Sequence, residues 1–564
     1  MALSRKSKPR GQSVGGGGRL RRIAGVMGMA PGRPAKLNPP QKGLSFGPSG
    51  SLVPRRLGAE RGGRGGRDGR GGLAAEAMTM GKQKMQRIHV VGIAGTFMAG
   101  AARIAAQMGY EVSGCDHAIY PPMSGQLERM GARVVEGYGE DNVDKDVDLY
   151  LIGNAAKRGM PVVERILSDK LPFDSAPSWL GRNVLSRCRV AAVSGTHGKT
   201  TTTSMLAWIL QSAGLEPGFL VGGVPENFGV SARLPKRFGQ GGESGRGAAA
   251  LPPFVIEADE YDTAFFDKRS KFVHYRPDVL AVNNLEYDHA DIFPDAAAIR
   301  RQFWMMLRAM PREAVTVFPA KAGLESLFEK DYWGVLLKVA SPEGYEAKEW
   351  DPQSGRFRLF WRGVSVGAGR LPLSGAHNLS NALCAIGCAK QFGVSEPQAL
   401  AALENFASVA RRCELKYEDA RFALYDDFAH HPTAIAATLG GLRAKRPGDE
   451  IVAVFEPRSN TMKMGTLKDN LAAAFSACDK AYCAQASAQW DVAAALAPLG
   501  GKAETLSGPD EIARAVGQRA ERFAASAPTG KKMAVLVMSN GSFGGICDKL
   551  KAVLSAASAS AQAL

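Results

Sequence analysis

Along most of this chain short apolar, β-branched runs alternate with longer mixed segments, and each run ends on polar residues. Arg87–Gly92, Tyr110–Gly114, Ala132–Val135 and Val147–Ile152 read as strands on that pattern. Val190–Val193, Phe254–Ile256, Val279–Val282, Ala423–Tyr425, Ile451–Phe455 and Met533–Met538 read the same way. Helical segments lie between them, such as the Ala-rich stretch after Gly92 and Thr200–Leu210. Strands alternating with helices predict an α/β fold of parallel sheets, and such sheets bind ligands beyond the carboxyl ends of their strands. The polar residues of interest fall at those ends.

With 564 residues there is room for three or four domains. The punctuation predicts a Gly/Arg-rich extension over residues 1–85, a first domain over 86–185, a central one over 186–406 and a third over 407–564. Pro235–Pro253, rich in Gly, Ser and Arg, predicts a flexible surface loop.

Charge changes the picture only at the start. The net charge is +17, but residues 1–84 hold 18 Lys and Arg against 3 Asp and Glu, leaving 53 against 51 for the rest. The globular part is nearly neutral, so its basic balance does not point to nucleic acid. The extension lacks the apolar pattern needed to order it and is expected to be a disordered basic tail. A solvated tail, or a working start at Met78, Met80 or Met85, is preferred to an RNA-binding arm. No signal peptide and no apolar run of about 18 residues is expected, hence no membrane partner. Eight scattered cysteines, with Cys384 and Cys388 spaced for one helix face, fit reduced thiols and a cytoplasmic location.

The candidate chemistry centres on Val190–Thr203, VAAVSGTHGKTTTT. A buried strand, a glycine turn (Gly195, Thr196, His197, Gly198) and a helix start bring backbone N–H groups and the helix dipole to one point, which suits a polyphosphate. Lys199 would reach the outer phosphates and Thr200, followed by Thr201, a metal ion. Val193 stands where the full phosphate-loop pattern has its first glycine. The strand ending on Glu257 (EADEYD) and the one running into NNLEYDHADIF, with Asn283, Asn284, Glu286, Asp288 and His289, supply polar groups of metal-holding type. Gly375, His377, Asn378 and Asn381 open a helix, where Asn either caps it or meets an adenine edge. Arg411 and Arg412 precede the strand that ends in DDFAHHPTAI. His430 and His431 beside Asp426 and Asp427 raise zinc as an option, although their spacing matches no common site. Arg458 is suited to a carboxylate, with pairing to Glu456 as its plainer role. In the first domain the turn at Gly92–Thr96, with Asp116 about 20 residues on, is arranged like a dinucleotide fingerprint but does not keep its glycine spacing. A nicotinamide-linked oxidoreductase and an RNA-associated NTPase are the competing functional classes.

Taken in order across residues 86–560, GTHGKTTT, EADEYD, LEYDHAD, GAHNLSNA, Arg411–Arg412 and DDFAHHPTAI resemble the Mur ligases of peptidoglycan synthesis, in the branch that uses UDP-N-acetylmuramate. FEPRSNTMK and VMSNGSFGG are similar to members that attach the recovered tripeptide L-alanyl-γ-D-glutamyl-meso-diaminopimelate. Members that add L-alanine carry a QPHRYTR-like segment there and are the alternative. The resemblance implies a Rossmann-like N-terminal domain, a phosphate-loop ATPase central domain and a Rossmann-like C-terminal domain.

It also implies ATP and Mg²⁺, and an acyl phosphate on the route to an amide bond. By position, Lys199, Glu257 and His289 would be catalytic, with Thr200, Glu257 and His289 on the metal. Gly195–Thr201, Asn378, Asn381, Arg412 and Asp427 would bind ATP. Gly92, Ile93, Ala94, Gly95, Thr96 and Asp116 would hold the UDP-sugar, and Arg458, Ser459 and Asn460 the peptide. His431 is a candidate proton acceptor. Many Mur ligases use a carbamylated lysine after the acidic–histidine segment, but Asp291–Arg308 contains no lysine, so another group must support a second metal.

Overall fold

A computed structural model describes residues 86–117, 119, 123–239, 251–330 and 332–562. The basic extension with its expected disorder and alternative starts, and residues 240–250 of the Pro235–Pro253 loop, lie outside the described residues.

Three large sheets and the two-stranded hairpin Asp262–Ala264/Asp267–Ser270 make up the strands of the described residues. The first has five parallel strands in the spatial order Arg133–Glu136, Glu111–Asp116, Arg87–Val91, Leu149–Ile152 and Phe173–Ser175. Ile88, Val90, Val91, Leu151 and Ile152 are buried in it, as expected of parallel strands covered on both faces.

The second sheet has ten strands. At its centre Arg189–Ser194 lies between Val279–Val282 and Pro253–Glu257, all parallel, so that the phosphate turn and both acidic segments emerge at one edge. The helix Lys199–Ser212 starts directly after the turn, and its Met205, Leu206, Ile209 and Leu210 fill the core between it and the helix Ala376–Gln391. Cys384 and Cys388 lie on the buried side of that second helix. The sheet continues through Tyr345–Lys348, Arg356–Trp361 and Val364–Arg370, which pair antiparallel and had no strand expectation. In Arg356–Trp361 Phe357 and Leu359 point inward while Arg356 and Arg358 are exposed, the mark of a half-covered sheet extension.

The third sheet runs Glu414–Glu418, Phe422–Asp427, Met533–Met538, Glu450–Phe455, Lys480–Ala484 and Ala503–Leu506, parallel except for the first strand. Phe422–Asp427 extends two residues past the apolar run and draws Asp426 and Asp427 into the strand. Pro432 is the first residue of the next helix, Pro432–Lys445, whose fixed φ suits that position. No helix among the described residues is long and apolar enough to cross a membrane.

Candidate active site

The phosphate turn is shaped by glycine and asparagine. Gly198 caps the helix with φ at 79°, and a Cβ there would lie 2.5 Å from Asn381 Oδ1 and 2.9 Å from Asn283 Nδ2. Only glycine suits that combination of left-handed backbone and close neighbours. Asn284 Oδ1 accepts from His197 N at 2.8 Å, and Asn283 Nδ2 donates to Thr202 Oγ1 at 3.0 Å, so the strand end beside the turn holds it open.

Lys199 and Thr200 leave the turn toward different carboxylates. Lys199 Nζ donates to Gly195 O at 2.8 Å and to Glu260 at 3.0 and 3.2 Å. Glu260 also meets His289 Nε2 at 2.9 Å. Burial opposes each of these three charges, but their mutual attraction wins. Glu260 falls to about 2, while Lys199 and His289 are raised. His289 holds this place with φ at 56°, left-handed for a non-glycine residue, a conformation that neighbours must enforce.

Thr200 Oγ1 donates to Glu257 Oε1 at 2.9 Å, and Gly222 N to Glu257 Oε2 at 2.7 Å. Burial and then Asp259 push Glu257 up, outweighing the pull of Lys199 and Arg412. Two oxygens about 2.9 Å apart match neighbouring ligands of an octahedral cation with bonds of about 2.0–2.1 Å. Thr200 and Glu257 therefore fit a small divalent ion. His289 directs its Nε2 to Glu260 and not to that pair. Glu260, to which the sequence assigned no role, is the group that joins His289 to Lys199.

The third domain reaches this edge through Arg412, whose Nη2 donates to Thr200 Oγ1 at 2.9 Å across 212 residues. Asp427 accepts from Cys413 N and Ala429 N, both at 2.7 Å, so it fixes the backbone on both sides of that approach. Arg411 turns away to Asp426 and to the carbonyls of Ser539 and Gly541. The zinc option at His430, His431, Asp426 and Asp427 finds no such cluster among the described residues: His430 Nδ1 faces Phe428 O, Asp426 Oδ2 pairs with Arg411 and Asp427 accepts from two backbone N–H groups. His431 instead stacks near His197, ring centroids 4.6 Å apart, with Glu286 Oε2 3.6 Å from His197 Nε2 and 3.8 Å from His431 Nδ1. The ligand atoms of these three lie within 4.8 Å of one another, a grouping of metal-holding type drawn from two domains.

A cavity of about 460 Å³ gathers these parts. Thr196, His197, Gly198, Lys199, Thr200, Thr201, Glu257, His289, Asn378, Asn381, Arg412 and Asp427 all line it, and so do Gly95 and Thr96 from the first domain. Gly92, Ile93, Ala94 and Asp116 do not line it, and Asp116 holds the first-domain turn by accepting from Ala94 N at 2.9 Å and Tyr138 OH at 3.1 Å. Asn378 donates to Ser374 O at 2.8 Å and accepts from Asn381 Nδ2 at 3.2 Å. Arg458, Ser459 and Asn460 lie outside the cavity lining. Ser459 caps a short helix, Asn460 donates to Asp291 at 2.7 Å, and Arg458 is exposed over Gly541. The plainer role for Arg458, pairing with Glu456, is not taken up, because the hydroxyls of Ser487 and Ser539 take both Glu456 oxygens.

Residues 87–187 match the Mur ligase family, catalytic domain, residues 193–389 the Mur ligase middle domain, and residues 411–541 the Mur ligase, glutamate ligase domain. The chain is 44% identical over 467 residues to the UDP-N-acetylmuramate–L-alanyl-γ-D-glutamyl-meso-2,6-diaminoheptandioate ligase of Escherichia coli K12, covering 82% of this chain and 97% of that one. It is 33% identical over 377 residues to the UDP-N-acetylmuramate–L-alanine ligase of Oleidesulfovibrio alaskensis, covering 66% and 78%. Among solved structures, a murein peptide ligase from Psychrobacter arcticus aligns with a TM-score of 0.63 and 39% identity over 83% of this chain and 98% of that one.

Proposed function

This chain belongs to the Mur ligase family, and from that we infer an ATP-dependent ligase that joins L-alanyl-γ-D-glutamyl-meso-diaminopimelate to UDP-N-acetylmuramate in the recycling of peptidoglycan. The observation that carries the reading is the cavity in which the phosphate turn, the buried Glu257, Arg412 and the first-domain turn converge. The tripeptide is favoured over L-alanine because the tripeptide ligases are matched nearly end to end and the alanine ligases over a smaller share.

ATP would lie along the phosphate turn, its outer phosphates on Lys199 and on the N–H groups at the start of Lys199–Ser212. Thr200 and Glu257 would hold Mg²⁺, which supplies charge neutralisation at the β- and γ-phosphates. Arg412, already bonded to Thr200, would add positive charge from the third domain and tie domain closure to ATP. The lactyl carboxylate oxygen attacks the γ-phosphorus and the bond to the ADP oxygen breaks. The tripeptide α-amine then attacks the acyl carbon, phosphate departs, and the amine loses a proton. Both steps bring anions together, so concentrated cationic charge and fixed placement are what the protein must provide. Glu260 takes the place of the absent lysine in supporting the His289 side of the site. Arg458, exposed and without an ion-pair partner among the described residues, would meet a tripeptide carboxylate. The enzyme would work in the cytoplasm, where its nucleotide substrates are.

Purified protein supplied with ATP, UDP-N-acetylmuramate and either tripeptide or L-alanine tests the assignment by product mass and ADP release. Faster turnover with L-alanine overturns the choice of acceptor. Amide formation in the absence of ATP overturns the mechanism.

A further inference from the structure

Lys271 follows the hairpin formed by Asp262–Ala264 and Asp267–Ser270 and opens the turn Lys271–His274. Its N–H is fixed to Tyr261 O at 3.0 Å, and its side chain, 7% exposed, lines the cavity. Nζ lies 4.7 Å from the Phe97 ring centroid and 5.4 Å from that of Tyr261. Its nearest carboxylate oxygen is Asp259 Oδ2 at 3.8 Å, beyond hydrogen-bond reach, and Nζ makes no hydrogen bond among the described residues. An ammonium has three donors to satisfy, and two aromatic faces satisfy none of them fully, so they are left for a group within the cavity.

The other oxygen of Asp259 faces Lys199 Nζ at 3.9 Å. One carboxylate thus separates two buried lysines. Lys199 belongs to the phosphate turn, and Lys271 rests against Phe97, next to the cavity-lining Gly95 and Thr96 of the first domain. An anion on Lys271 and a phosphate on Lys199 would be neighbours.

We propose that Lys271 binds the reacting carboxylate of the sugar nucleotide and holds it beside the γ-phosphate. The proposal rests on the function inferred above and names the residue that positions its acceptor. A carboxylate is favoured because Lys271 offers one cation between two aromatic walls, next to the Lys199 side of the cavity, and a single charge matches a single carboxylate. A lysine suits a group that must keep one oxygen bound while the other moves to phosphorus, since its three donors rotate freely on a flexible stem.

The test compares UDP-N-acetylmuramate with UDP-N-acetylglucosamine, which has the same nucleotide but no lactyl carboxylate, by calorimetry on the full chain. Losing a hydrogen bond to a charged group lowers affinity about tenfold or more, so Lys271→Met should weaken binding of the first ligand by that factor and of the second less than about twofold. The KM for UDP-N-acetylmuramate should rise while that for ATP stays, and Lys271→Arg should recover part of the loss. Equal effects on both ligands, or none on either, overturn the proposal, and circular dichroism separates a folding defect from the first case. If Lys271→Met shows the selective loss while the wild-type protein joins no peptide to UDP-N-acetylmuramate, the ligase reading falls and the carboxylate site stands.

Discussion

Glu257 and Glu260, three residues apart at one strand end and both buried, are driven in opposite directions: Glu257 is raised and Glu260 falls to about 2. Glu260 faces Lys199 and His289, whereas Glu257 faces a hydroxyl and a backbone N–H. Two carboxylates whose surroundings push them apart take different work. Glu260 stays charged between Lys199 and His289, and Glu257 is held by a hydroxyl and a backbone N–H.

Glu260→Gln should therefore release Lys199 and His289 together. His289 would lose the partner that holds it up and titrate lower, which ring proton shifts against pH would show. The turnover number should fall about 10–100-fold, as for loss of a group that orients others in a metal or phosphate site. An unchanged His289 titration would refute the coupling.

Glu257→Gln should act on magnesium first. With one carboxylate ligand gone, half-saturation by Mg²⁺ should rise at least about tenfold, and activity should return in part at high Mg²⁺. Initial rates over a magnesium series are the check, and a shift confined to the tripeptide KM would contradict the assignment.

Gly198→Ala should damage the turn without touching its charges. The new methyl would meet Asn381 and Asn283 at a backbone angle of 79°, at a cost of about 1–3 kcal/mol. Thermal unfolding should drop by a few degrees and ATP binding should weaken more than sugar-nucleotide binding.

Acid should destabilise the fold through the buried His89 and the partly buried His377 and His430. His89, His377 and His430 are each lowered by burial to about 4. Each is neutral when folded and protonates more readily when unfolded, so stability is full above about pH 6.5 and falls toward pH 4, by about 1.4 kcal/mol per unit per group. His89→Gln should flatten the denaturant-derived slope by one group's share. His289, raised, contributes in the opposite sense, and its share fades as pH climbs above 6.5.

The local parts of this protein were legible in the order of its residues. The buried strands followed from β-branched runs, the phosphate turn from its glycines, the helix Pro432–Lys445 from its proline, and the polar strand ends from where each run stopped. These are short-range matters, set by backbone sterics and by the period of apolar residues. Partner choice was decided by the tertiary structure alone. Nothing within EADEYD distinguishes the carboxylate that meets Lys199 from the one that meets Thr200, and no spacing announces that Arg412 bonds Thr200 across 212 residues or that Lys271 shares Asp259 with Lys199. Charge interactions and burial act through space, so a side chain's protonation and role depend on what the fold brings near it, however far off it lies in the chain.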